Sequence, residues 1–277
     1  MLNGEKRMDD NMKDQKIGPL PIPVFVLVGG LAGFFLRLQM LAVGYDSQGV
    51  QITGSWPYVS LWVLSGLVLI GLAVLCLGMG KRSGLEENFK AAKIPAVCAV
   101  LSAAGLFVYS IVNLLNHTDL FSIVVYVLGV GAAFALAFQG YLRVSGRASA
   151  PAGMLVCLYL AALLICRFRD WSKDPLLGDY CFELLACVFA MLAAYQLAGF
   201  PLGRGRRRAS IFCSMAAVYF SCVSLADAGW TDRLFFAAMA LWQFTGVCSL
   251  EKPIHRRRKL GGGFEETDPP ASEGEST

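Results

Sequence analysis

The sequence predicts an all-α polytopic membrane protein with eight transmembrane helices. Three observations predict it. Hydrophobic residues make up 56% of the 277-residue chain and charged residues only 16%, against roughly 25% charged in a soluble domain. The charges gather between eight long charge-poor runs, which one buried soluble core does not need. Lysine and arginine alternate between heavy and light loading from one connection to the next.

The first run starts at Leu20 and carries no charge until Arg37, then continues into a polar loop holding Asp46. A helix needs ~20 apolar residues to cross a bilayer core. The run is too long for the apolar part of a signal peptide, contains Arg37 and lacks a small-x-small cleavage site, so it reads as a first span. Seven runs follow: Pro57–Gly80, Ile94–Asn116, Leu120–Leu142, Pro151–Cys166, Cys181–Phe200, Ala209–Ala226 and Leu234–Leu250, with Glu183 the one charge inside them. Their short connections predict antiparallel neighbours. Between the second and third, Ser83–Lys93 spaces Leu85, Phe89 and Ala92 as the apolar face of a helix lying on the membrane surface.

The chain therefore divides into a polar leader (1–19), a first four-helix half (20–145), a second four-helix half (146–250) and a tail (251–277) that is basic, then acidic and expected to be disordered. Nineteen of the lysines and arginines fall on one side, in the leader, the even-numbered connections and the tail, and five on the other, Arg37, Arg167, Arg169, Lys173 and Arg233. By the positive-inside rule both termini are cytoplasmic. Trp56, Trp171 and Trp230, with Tyr45, Tyr58 and Tyr180, fall at the outer ends and read as an interfacial belt.

The two halves echo each other. LAGFFLRL ending at Leu38 matches ALLICRF around Arg167; GKRS (80–83) matches GRGRR (203–207); Cys98 matches Cys213; HTDLF (117–121) matches WTDRLF (230–235). Four spans is an even number, so the echo predicts a 4+4 parallel repeat about an axis along the membrane normal, with Arg37 on or beside Arg167.

Charge inside a membrane segment is the best single pointer to function. Arg37, Arg167, Glu183 and Asp227, with Asn113 and Ser224, all lie near the outer ends of their runs. The candidate substrate-binding set is Arg37, Arg167, Glu183, Asn113 and Asp227, in which the two arginines hold an anionic solute bidentately. The competing reading has the same arginines snorkelling to headgroups or paired with Glu183 and Asp227 to fix the helices.

Other chemistry is not encoded. GMGKRS (78–83) fails as a phosphate loop, with Leu75 and Arg82 at required glycine and hydroxyl positions. Neither histidine lies in a run, so a serine–histidine protease has no base. His117 and Asp119 are too few for a metal site. Nine cysteines, an odd number without a CxxC pair, read as small helix-contact residues. Gly29/Gly33 and Ala186/Ala190/Ala194 suit close helix packing, and Gln139, Gln196 and Gln243 suit bonds between helices. No catalytic residue, metal or cofactor is expected. The basic runs RGRRR (204–208) and HRRRK (255–259) point to anionic headgroups at the cytoplasmic face rather than to nucleic acid.

RLQMLAVGYDSQGV (37–50), following a first span, resembles a stretch in uncharacterised multi-pass membrane proteins of anaerobic Gram-positive bacteria. The resemblance implies a bacterial plasma membrane and no particular activity. The expected function is small-solute transport, as a transporter or permease-like component for an anionic solute. The alternative is a non-catalytic scaffold or accessory subunit with a membrane-protein partner.

Overall fold

The computed structural model describes residues 21–44, 54–78, 93–172 and 180–249, the side chains of Asp170 and Trp171 excepted. The leader, Tyr45, the surface segment up to residue 92 and the tail lie outside the described residues.

The described chain is all-helical. Its eight helices are α1 (Pro21–Val43), α2 (Trp56–Leu77), α3 (Lys93–Asn116), α4 (Leu120–Val144), α5 (Ala150–Trp171), α6 (Cys181–Gly199), α7 (Arg207–Ser224) and α8 (Trp230–Cys248). No described residue is in a strand. The first six helices are long and apolar enough to cross a membrane. In hydrocarbon every backbone amide must be satisfied within its own segment, which is why such runs become helices. Helix ends follow local chemistry. Asp119 caps α4, its carboxylate accepting from the Ser122 amide, and Gly146, at φ 69°, turns the chain out of α4 in the left-handed conformation that glycine tolerates.

Apart from α2 and α3, neighbours in sequence pack as antiparallel pairs, and the chain then closes on itself. Helices α3 to α8 each pack on the next, and α8 returns to pack on α3, so six helices form a ring. Helices α1 and α2 pack on each other and on α7.

Helix α7 is the hub. It packs on α1, α2, α6 and α8, and fourteen of its eighteen residues are buried. Ser210, Ser214, Ser221 and Ser224 are all buried on it. This explains why α7 matches a charge-poor run but falls outside the six strongly apolar helices: its neighbours cover it, so it has little need of a lipid-compatible surface. At eighteen residues it is still ~27 Å long, close to a bilayer core.

Three glycines set the approach of α1. A Cβ on Gly33 would lie 2.8 Å from the Val223 side chain, one on Gly30 3.1 Å from Cys222 Cβ, and one on Gly29 2.9 Å from the Val68 side chain. Only glycine lets α1 come this close to α7 and α2 without displacing them. Ala186, Ala190 and Ala194 on α6 are likewise buried. All nine cysteines are free thiols; Cys76, Cys166, Cys187 and Cys213 are buried, and Cys248 is exposed.

The two four-helix halves pack differently. Helices α6 and α7 lie along each other, whereas α2 and α3, their counterparts in the first half, are not a packed pair among the described residues.

Candidate functional site

The C-terminal ends of α1, α3, α5 and α7 and the N-terminal ends of α4, α6 and α8 meet at one end of the bundle, and Arg37, Arg167, Glu183, Asp227 and Asp232 collect there, while the buried Arg207 starts α7 at the opposite end. Arg37 comes from the last two turns of α1 and is 2% exposed. Its Nε donates to Asp227 Oδ2 at 2.9 Å, and its Nη2 bonds to the same oxygen. Its Nη1 reaches Met40 Sδ at 3.5 Å, and the guanidinium lies 5.6 Å from the Phe182 ring centre. Asp227 belongs to the turn between α7 and α8, so this pair fastens α1 across the hub helix.

Arg167 is the second anchor, four residues before the end of α5. Nη1 donates to Glu183 Oε2 at 3.1 Å, while Nη2 donates to Tyr109 Oη at 3.1 Å and pairs with Asp232. Phe235 and Phe236 each place a ring centre 5.3 Å from its guanidinium carbon. One side chain thus joins α5 to α3, α6 and α8. Buried guanidinium groups need such partners, because an uncompensated ion costs several kcal/mol, in order of magnitude, to hold away from water.

A third pair lies at the rim. Arg169 Nη2 donates to Asp119 Oδ2 at 2.7 Å, tying α5 to the turn before α4. This hydrogen bond, helped by the Ser122 amide, holds the exposed Asp119 carboxyl below the usual carboxylate range. His117 and Asp119 therefore do turn work: the His117 ring bonds to the Asn113 carbonyl at 2.9 Å, and Asp119 caps α4. Among the described residues no three potential metal ligands converge.

Of the residues singled out in the sequence, Arg37 and Asp227 form one pair, and Arg167 and Glu183 belong to a second group. Asn113 stands apart: its amide nitrogen donates to the Tyr109 carbonyl on its own helix at 2.9 Å. Asp232 and Tyr109 complete the Arg167 group and were not singled out. A signal for Asp232 existed. It stands three residues into its helix, as Glu183 does, so it lies at similar depth.

Polar contacts also occur deeper. Ser65 and Tyr219 share a hydrogen bond of 2.9 Å between α2 and α7, and Ser214 donates to Gln243 Oε1 at 2.9 Å between α7 and α8. Gln139 Nε2 donates to the Ser149 carbonyl at 3.4 Å. The first two are interhelical bonds of the kind that buried amides and hydroxyls make in a membrane protein, while the Gln139 bond reaches the connection before α5.

Against family models, curated proteins and solved structures, the chain matches none. The functional reading therefore rests on the geometry of these groups.

Proposed function

We propose that the chain is an eight-span integral membrane protein of the bacterial plasma membrane, with both termini cytoplasmic, acting as a non-catalytic scaffold or accessory subunit of a membrane complex. The observation that carries this reading is the internal use of the outer charges. Arg37 spends two donors on Asp227, and Arg167 divides its own among Glu183, Asp232 and Tyr109. Groups used this way hold helices together.

Eight crossings are supported by the lengths of α7 and α8, the antiparallel packing of sequence neighbours other than α2 and α3, and the alternating distribution of lysine and arginine. Exposed Arg204 and Arg206, in the loop between α6 and α7, suit anionic headgroups on the cytoplasmic side. The ordered sequence matches support a parallel repeat, while the unlike packing of α2 with α3 and α6 with α7 speaks against a strict one.

Topology reporters test the arrangement. A fluorescent protein fused after Thr277 is expected to glow, and a reporter active only outside the cell is expected to work near Ser47. External activity at Arg206 would overturn it.

Small-solute transport is the second reading. The Arg167 group lies where four helices of a closed ring meet, and the Asp232 side chain is 35% exposed, so the group has an outlet. A thermal-shift screen of purified protein against small carboxylates and phosphates separates the two. The scaffold reading expects no shift, together with a specific membrane protein recovered after mild detergent extraction. A solute that raises the melting temperature of wild type but not of Arg167→Lys would establish transport-type binding instead.

A further inference from the structure

We propose that the groove between α3 and α4 binds one anionic phospholipid, with an acyl chain lying in the groove and the phosphate on Lys93. The inference rests on α3 and α4 crossing the membrane, for which both are long and apolar enough, and holds for a scaffold and a transporter alike.

The groove is a hollow of about 330 Å³ that opens on the outside of the helix ring. Buried Ala103 and Ala133 form its floor, with Ala104 and Ala137 beside them. Phe107 and Phe134 bound it, their rings in edge contact with centres 5.9 Å apart.

Moving the two helices together cannot close this hollow, because glycines already hold them in contact beyond each end of it. A Cβ on Gly140 would lie 3.1 Å from Ala99 Cβ and 3.0 Å from the Ala96 carbonyl oxygen, and one on Gly129 would lie 2.5 Å from Ser110 Oγ. Between these two points the four alanines are too small to fill the space. An empty gap forfeits dispersion contacts on one side, so in a membrane an apolar group occupies it.

The apolar lining does not select that group, since lipid tails are as apolar as leucine. One end of the groove does. Lys93 lies seven residues before Val100 on α3, two turns away and within about 20° of the same face. It is exposed. Tyr141, also exposed, lies one turn beyond Ala137 on α4. A cation and a phenol hydroxyl thus stand at the same end of an apolar channel, as a headgroup stands over its tail. From Lys93 to Val108 α3 rises ~22 Å, and one leaflet of a bilayer about 40–45 Å thick is equally deep. A lipid in its ordinary upright position therefore spans the whole site. A second copy of the chain or a partner helix fits less well. A helix is about 10 Å wide, and Phe134, 66% exposed, stands in the mouth of the groove; a single acyl chain bends past it.

The experiment is native mass spectrometry of the full-length protein in detergent, titrated with phosphatidylglycerol or with phosphatidylcholine of identical chains. Wild type is expected to bind a first phosphatidylglycerol about fivefold more tightly than a first phosphatidylcholine, the effect of one basic residue beside an anionic headgroup. Lys93→Gln is expected to lose that preference. Ala104→Leu combined with Ala137→Leu fills the groove, leaves Lys93 in place and is expected to abolish the first binding step for both lipids. Should the pair not fold, Ala104→Leu alone, at an exposed position, is expected to weaken the same step. Equal affinity of wild type for the two lipids, an unchanged preference in Lys93→Gln, or an unchanged first step in the alanine variants would each overturn the proposal. So would a wild-type dimer that the alanine variants dissociate. None of these results bears on the crossing of the membrane, which the topology reporters test.

Discussion

Replacing Arg167 with alanine is expected to destabilise the protein by about 3–5 kcal/mol, the range seen when one member of a buried ion pair is removed. The loss has identifiable parts. Asp232 is left without its cation, the Tyr109 hydroxyl without its donor, and the Phe235 and Phe236 rings without the guanidinium they flank. Four helices lose their common contact at one end of the ring. Arg167→Lys keeps the charge but not the fork that reaches two carboxylates at once, so its loss should be intermediate. Combining Arg167→Met with Glu183→Gln and Asp232→Asn should recover most of the stability, since no buried charge is then left over. Thermal unfolding of the three variants in one detergent measures this. A single variant as stable as wild type would show that the group is not an anchor.

Arg37→Ala is expected to cost about 3 kcal/mol, at the lower end of the same range, because Asp227 is 19% exposed and water relieves part of the orphaned charge. The effect should be more local. Arg37 ties α1 to the turn following α7, and α1 packs chiefly on α2 and α7, so its outer end should loosen while the six-helix ring persists. Arg37→Met with Asp227→Asn should lie within about 1 kcal/mol of wild type, as balanced replacement of an ion pair often does. Limited proteolysis near residue 44, alongside thermal unfolding, would detect the release of α1. Equal losses for the single and the double variant would mean that packing, rather than the ion pair, holds this end.

Much of the candidate site could be read in one dimension. Arg37, Arg167, Glu183 and Asp227 were legible because each interrupts or ends an apolar run, where a charge is expensive and needs a reason. Asp232 was not, because WTDRLF reads as an outer turn; only the rotation of α8 within the ring shows that this acid reaches Arg167. Tyr109 looked like one aromatic residue among many in a span. Asn113 attracted attention for its polarity, yet its amide is satisfied by its own helix.

The sequence by itself determined the all-helical architecture, the positions of the eight helices and the placing of Arg37, Arg167, Glu183 and Asp227 near one set of helix ends. Its physical basis is strong: backbone amides in hydrocarbon must be satisfied locally, so a run of ~20 apolar residues has one stable conformation. Tertiary structure alone decided which helices are neighbours, why serine-rich α7 can stand at the hub, and which acid meets which arginine. In water a polar face and an apolar face reveal which side of a helix is buried. In a bilayer both the lipid-facing and the protein-facing sides are apolar, so the pattern that marks a span carries little information about its partners.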